Sequence, residues 1–486
     1  MARIYRASIR LLLAGYHLSL VAGASTSAVL YVNANAAGPT HDGTAWSTAF
    51  LTVQEALNAG YGGDDVWVAK SEPASPAYVE SITLPTDVGL YGGFAGTETD
   101  RGQRDVKANV TILDGNNTTS NVVSSSVKGA VVDGFTVRNG GNAIRVNSTT
   151  TITNCTIQGN GTGIFVPGGT ATITDCTISG NTNGSGVYVD YGGTATITNC
   201  TISGNYYGVH GTATITDCTV SNNGTGIDVF SGTVTMTNCV VTSNTTGIFT
   251  SGGTANVSNS AISGNTTGAR VGGTATIANC TLSGNSTAAF VSGMATLTNC
   301  TISGNTIGSG VYVESGGTAS VTNSIVAFNS TGIYLNGGKV MLSHNDVYGS
   351  SPDDFRNIPD PTGTNGNISQ DPRFVSRTGG DFHLTSGSPC IDAGDDTLVT
   401  AGQRDAEGRP RIVGAHVDMG AFESGTIDAY TLHDGESALA SMGGLSYVTP
   451  SDFAHLNADR GGASADTIDM FDVVWIVRRA TGLDPS

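Results

Sequence analysis

Apolar and polar positions alternate one for one through most of this chain, in short runs such as Ala171-Thr172-Ile173-Thr174, Cys176-Thr177-Ile178-Ser179 and Gly163-Ile164-Phe165-Val166. A period of two over three to five residues predicts short β-strands with one face buried. Gly, Ser, Asn and Asp clusters separate the runs and predict tight turns. The runs then recur as a unit. Aligned on one position, they give Cys155, Cys176, Cys200, Cys218, Cys239, Ser260, Cys280, Cys300 and Ser324, at steps of 21, 24, 18, 21, 21, 20, 20 and 24 residues.

Self-similarity at this period is the mark of a solenoid. Three strands and three turns in roughly 21 residues make one coil of a parallel β-helix, with coils stacked at about the 4.8 Å spacing of paired strands. The position before the repeated slot holds only Asn or Asp: Asn154, Asp175, Asn199, Asp217, Asn238, Asn259, Asn279, Asn299 and Asn323. These are the non-glycine residues that best tolerate a left-handed backbone. The reading is a one-residue bend, with stacked amides bonding from coil to coil. A second column follows five residues after the slot, from Asn160 through Asn181 and Asn205 to Asn329. The cysteines stand just past the bend and point inward, where serine replaces two of them, so the slot is read as selecting small volume. Neighbouring coils bring cysteine Cα atoms within disulfide range, which leaves one or two bridges open. No histidine accompanies the column at metal-ligand spacing.

The third strand of each coil alternates in, out, in. Its outward column reads Arg145, Phe165, Tyr188, His210, Asp228, Phe249, Arg270, Phe290, Tyr312 and Tyr334. Aromatic side chains have no need to face water, and six on one stripe suggest a surface that stacks on sugar rings. Ten coils make a track of roughly 40–45 Å. The expected carbohydrate-binding residues are Arg145, Phe165, Tyr188, Phe249, Phe290, Tyr312 and Tyr334. The alternative is cross-coil stacking that shields the sheet, or cover by a terminal segment. His210, Asp228 and Arg270 are the candidates for acid–base chemistry, His210 and Asp228 on adjacent coils and Arg270 two coils further. Residues 141–335 contain two arginines, no lysine and five acids, too few for the converging carboxylates that glycoside hydrolysis uses.

Composition narrows the setting. The chain has 486 residues, 68 of them glycine, with 12% charged residues and a net charge of −18. Arg3, Arg6 and Arg10, an apolar run and the small residues Thr26 and Ala28 read as an export signal over 1–28. Its removal leaves 18 basic against 39 acidic residues, which argues against nucleic acid or anionic membrane as partner. No later run is long enough to span a bilayer.

The repeats resemble the right-handed parallel β-helix of the pectin lyase-like superfamily, and the resemblance covers most of the mature chain. It implies an all-β right-handed parallel β-helix with capping segments and a polysaccharide groove on the outward face of the third strand. The stretches from Leu30 to Leu57 and from Gly89 to Asp105 resemble the start of polymorphic-outer-membrane-protein-like surface proteins. Those around Asn345–Phe355, Gly366–Val375 and Ser388–Glu423 resemble the closing segment of secreted β-helix proteins with varied C-terminal anchors. The hydrolase signatures of the superfamily are absent. Residues 455–482 resemble half of a dockerin, which implies a small C-terminal helical module, a cohesin-like anchoring partner and Ca2+ held by Asn457, Asp459, Asp469 and Asp472. Here His455 stands where the calcium loop begins with Asp, and the loop is about five residues too long for the usual spacing.

The division expected is a signal at 1–28, an N-terminal cap and first coils at 29–115, repeats at 116–345, C-terminal coils and cap at 346–424, a linker at 425–445 and the dockerin-like segment at 446–486. Residues 50–60 are expected to form a short helix over the N-terminal end. The function read from these features is a secreted or surface-attached, monomeric, non-catalytic protein that binds polysaccharide or mediates surface contact. A lyase or hydrolase in the same groove, or an adhesin-like spacer, are the rival readings.

Overall fold

A computed structural model describes residues 27–71, 77–400 and 402–425. The expected export signal except its last two residues, and the segment expected to be dockerin-like with Asn457, Asp459, Asp469 and Asp472, lie outside the described residues. Three parallel sheets of 14, 13 and 13 strands wind around one core, each strand paired with its counterparts one coil before and after. Sheet one runs from Val29–Val32 to Lys339–Ser343, sheet two from Tyr78–Val79 to Asp346–Tyr348, and sheet three from Ile82–Leu84 to Asp353–Arg356. The chain is an all-β parallel β-solenoid. The cysteine-aligned repeats stay in register, so Ala171, Ala195 and Ala213 sit opposite one another, as do Ile173, Ile197 and Ile215. Those side chains fill a continuous apolar core, where each buried aliphatic contributes about 1.5–3 kcal/mol.

Every member of the first Asn/Asp column adopts the left-handed conformation, with φ between 49 and 55°. The coil-to-coil amide ladder, however, belongs to the second column. Asn160 Nδ2 donates to Asn181 Oδ1 at 3.1 Å, Asn181 to Asn205 at 3.0 Å, and so on through Asn305 to Asn329 at 2.8 Å. Each carbonyl oxygen also accepts the backbone N–H of the preceding coil's asparagine, as from Asn223 to Asn244 at 2.9 Å. The reason is direction. First-column side chains stand at the corner and bond between coils only in places, as from Asn279 to Asn259 at 3.3 Å, with Asn279, Asn299 and Asn323 buried, whereas the second column is buried throughout and turns in.

The cysteine slot is likewise more than a volume filter. All eight cysteines are buried thiols. Cys176 N–H donates to Cys200 Sγ at 3.4 Å, and Cys200 N–H to Cys218 Sγ at 3.4 Å. Where serine replaces cysteine the same bond is made to oxygen, from Cys239 N–H to Ser260 Oγ at 3.0 Å and from Cys300 N–H to Ser324 Oγ at 3.1 Å. One coil later Asn345 Oδ1 accepts from Ser324 N–H at 3.0 Å. The slot therefore needs a side-chain acceptor for a buried backbone donor, which costs free energy if left unpaired.

The helix expected near the N-terminus is Val53–Ala59, capped by Thr52, with Val53, Ala56 and Leu57 buried. Glu80 accepts the N–H groups of Val53 and Gln54 at 2.8 and 2.9 Å, placing a carboxylate at the positive helix end. At the other end, the hairpin Phe374–Ser376 and Asp381–Leu384 leads into an irregular segment, residues 388–425. This segment does not only close the end. It folds back as a strap along the corner between sheets one and two. Asn259 Nδ2 donates to Asp405 O at 3.1 Å, Asn279 Nδ2 to Arg404 O at 2.9 Å and Asn323 Nδ2 to Asp395 O at 3.1 Å. Ala421 N–H donates to Thr301 Oγ1 at 3.0 Å, and Met419 and Cys390 pack on Ile325 and Ala327. Within the strap Arg411 lies 3.4 Å from Glu423, both side chains fully buried, and donates to Gly420 O at 2.6 Å.

Candidate functional site on sheet three

Alternation along sheet three puts Ile164, Val166, Val187 and Val189 in the core and leaves the intervening residue outside. Parallel in-register pairing then lines those residues up. Arg145 faces Phe165, followed in single steps by Tyr188, His210, Asp228, Phe249, Arg270, Phe290, Tyr312 and Tyr334. Arg356 extends the file by one coil. Phe165 stacks on Tyr188 with centroids 5.2 Å apart, and Phe290 on Tyr312 at 4.9 Å. Arg145 lies over Phe165 at 5.0 Å, and Arg270 lies between Phe249 and Phe290 at 5.4 and 5.6 Å. Such contacts each contribute about 0.5–1.5 kcal/mol and fix the rings as a platform. Six of the file's rings are only half-buried, so one side of each still meets solvent.

One coil breaks the pattern. Between the file position and the next sheet-one alanine or valine the chain takes seven residues from Tyr188 to Ala195 and six from Asp228 to Val234, but three from His210 to Ala213. Gly211 makes this short turn at φ 103°, where a Cβ would stand 2.0 Å from Val189 O, so no other residue fits. The turns on either side overhang the shortened one. Tyr191 and Phe230, two coils apart, meet across it with centroids 5.5 Å apart, and Phe230 stacks on His210 at 4.4 Å. On the other flank Tyr207 lies 4.9 Å from His210 and 4.6 Å from Tyr206. A transverse aromatic band thus crosses the axial file at His210. Tyr191 and Tyr206, at its two ends, are 74% and 58% exposed, far more than a shielding role requires. Sequence reasoning missed Tyr191, Tyr206, Tyr207 and Phe230. The 18-residue step and the Tyr206-Tyr207 pair, at a corner where the neighbouring coils carry Gly184-Ser185 and Gly224-Thr225, were the signals that could have found them.

His210 and Asp228 come together, with Nδ1 2.8 Å from Asp228 Oδ2. The contact is off the line of a straight hydrogen bond, and Asp228 Oδ1 has no partner. Both His210 Nδ1 and Asp228 Oδ1 are shut off from solvent beneath the rings. The pair lies beneath the rings, with the His210 side chain 17% exposed. Arg270 stands apart from the pair, with Phe249 between. Burial raises the phenols of Tyr188 and Tyr207 above their ordinary range, with Asp190 adding to the first and Tyr206 to the second, so both stay neutral hydrogen-bonding groups at physiological pH. Two shallow concavities of 330 and 310 Å³ follow the glycine corner around Gly141, Gly159 and Gly180, and neither includes a residue of the file. The aromatic surface is an open face.

Among the described residues no cluster of three or more His, Cys, Asp or Glu side chains is placed to hold a metal ion. Nor is any described helix long and apolar enough to cross a membrane. The family described as right handed beta helix region matches residues 113–266 and 207–352. The fold is that of a right-handed parallel β-helix. Among solved structures the chain is similar to pectate lyase Pel9A, with 16% identity over 83% of this chain and 98% of that one, at a TM-score of 0.41. It is similar to the A-module of the Azotobacter vinelandii mannuronan C-5 epimerase AlgE4, with 16% identity over 66% of this chain and 95% of that one, at 0.41. It is also similar to PfbA, a surface adhesin of Streptococcus pneumoniae, with 12% identity over 63% and 87%, at 0.28. No curated protein matches the chain in sequence.

Proposed function

We propose that the protein is an exported β-helix that binds a polysaccharide on the outward face of sheet three, without cleaving it. The observation that carries this reading is the crossing of an unbroken axial file with a transverse aromatic band at His210. That face is left open by the strap, which packs on the opposite corner through Asn259, Asn279 and Asn323. Rigid rings with solvent-facing edges supply stacking area, and neighbouring phenols and arginines supply hydrogen bonds at little cost in conformational entropy. The His210–Asp228 pair, with Nδ1 2.8 Å from Oδ2, gives the face rigidity.

Affinity electrophoresis through gels containing a panel of polysaccharides tests the reading. Retardation by at least one polysaccharide is expected, with no release of new reducing ends. Tyr191→Ala combined with Tyr206→Ala removes exposed side chains and is expected to weaken retention roughly tenfold, each lost ring contact accounting for about 0.5–1.5 kcal/mol. Unchanged mobility on every polysaccharide would refute it.

A further inference from the structure

The arginines of the file carry an inference about which polysaccharide, and it rests on the glycan-binding reading above. Residues 141–335 contain no lysine and two arginines, Arg145 and Arg270. Both stand in the same outward file, six coil steps apart, and Arg356 follows four steps later. By the strand spacing these separations are about 29 and 19 Å. Among the other described arginines, Arg101, Arg104, Arg138 and Arg411 are paired with carboxylates, and Arg377, which lies over Phe328 at 4.3 Å, and Arg404, which donates to Gly408 O, lie outside the file. Arg145 and Arg270 have no carboxylate within ion-pair distance among the described residues. Arg145 Nε donates to the neutral Asn147 at 3.2 Å, and the exposed Arg270 touches only rings. Arg356 Nε donates to Asp353 at 3.0 Å, and its guanidinium lies over Tyr334 at 5.4 Å.

In a chain of net charge −18, a cationic ligand would find partners almost anywhere on the surface. An anionic one would find few places, and two unpaired guanidinium groups flanked by aromatic faces are the chemistry it needs. A planar guanidinium held flat on a ring keeps its edge N–H groups free to grip a carboxylate or sulfate in a bidentate pair. The one acid within the file, Asp228, is buried against His210, out of contact with a ligand lying on the rings.

The geometry points to a polyanionic glycan, bearing carboxylate or sulfate groups along its chain, as the occupant of the sheet-three face, with Arg145 and Arg270 as its charge-reading contacts.

The test uses the full chain and measures binding to polygalacturonate, chondroitin sulfate and neutral dextran and xylan, at low salt and at about 0.5 M salt, where charge contacts are screened within a few ångströms. Expected are binding to at least one of the two anionic polymers at least tenfold tighter than to either neutral one, and loss of that margin in high salt. Arg270→Gln is expected to reduce affinity for the anionic polymer about fivefold and Arg145→Gln by a similar factor, with the folded structure retained. Equal, salt-insensitive binding to dextran or xylan would overturn the anionic assignment while keeping the glycan reading. So would anionic binding that neither arginine variant weakens. Absence of binding to all four polymers would overturn both.

Discussion

The coil body and the C-terminal strap solve the same problem, pairing buried polar groups, in opposite ways. In the body, each buried amide of the second column is matched by an identical amide one coil on, and each cysteine slot repeats the same N–H to sulfur or oxygen bond. The amides of the ladder carry no charge at any pH the protein meets. The strap is instead fastened by ionisable groups. Arg411 and Glu423 are fully buried together, Asp418 accepts from Asp392 and Ser424, and His383 bridges Asp381 at 2.7 Å and Glu407 at 3.0 Å. The unpaired buried atoms concentrate there too: Asn279 Oδ1, both amide atoms of Asn299, Ser303 Oγ and two nitrogens of Arg411. A repeated unit lets one good hydrogen-bond geometry be reused, whereas a single-copy segment laid across the repeat meets groups that cannot all find a match. The body is therefore expected to be stable and insensitive to pH, and the strap to be the part that responds.

The comparison can be broken most forcibly in the body. Asn244→Leu leaves the Asn223 backbone donor without its acceptor, takes one of its two donors from Asn265 Oδ1, and removes the amide that Val220 O and Thr242 O accept from. At about 1–3 kcal/mol for each orphaned group, the loss should reach roughly 3 kcal/mol or more in urea unfolding. A change below about 1 kcal/mol would mean that the ladder is not what holds the coils in register. Gly211→Ala comes next. Its Cβ would collide with Val189 O, so the short turn must rearrange, at about 2–3 kcal/mol. The Tyr191–Phe230 contact should loosen with it, visible as greater exposure of Tyr191.

The strap sharpens the contrast through pH. Burial raises Glu423 to about 8, with Arg411 opposing and Asp418 adding to the effect; its unperturbed value is 4.5. The folded strap thus holds a proton that the released strap gives up, so docking weakens as pH rises from near 4.5 through 8. Burial pulls the His383 imidazolium down, but its bonds to Asp381 and Glu407 outweigh this and raise it above 6.5. His416 is raised by its bond to Asp396. Both histidines contribute stability that is complete below 6.5 and lost as pH climbs through their folded values. All three act in one direction. Intrinsic-rate-corrected hydrogen exchange at Gly420 and Ala421 should accelerate between pH 5 and pH 8 by about tenfold or more, while the amides of Ile215 and Ile227 stay constant. Glu423→Gln should flatten the response. The smallest effect is in the cysteine slot. Cys218→Ser keeps an acceptor for Cys200 N–H and should cost less than about 1 kcal/mol, whereas Cys218→Ala removes it and should cost about 1–3.

The parts of the fold that repeat were legible, because period-two alternation fixes which residues point inward and the Asn/Asp column fixes where the chain bends. The outward file from Arg145 to Tyr334 follows from those two facts alone. What could not be read depended on side-chain direction or on single-copy geometry. Two asparagine columns look alike in sequence, yet only the one at Asn160–Asn329 turns inward to form the ladder. The acceptor role of the cysteines depends on a backbone donor that alignment does not reveal. The notch at His210 arises from an omission, three missing turn residues, whose consequence appears only when Tyr191 and Phe230 close over it. The strap's course depends on contacts such as Asn259 with Asp405, 146 residues apart, for which no local pattern exists.

Oxidative footprinting of the aromatic side chains, with and without a polysaccharide that the chain retains, tests the central claim most directly. The account predicts protection of Tyr188, Tyr191, Tyr206 and Phe249 on binding, with Tyr61 and Phe374 unchanged. Protection confined to the strap or to sheet one, with Tyr191 and Tyr206 as reactive as in the free protein, would contradict it.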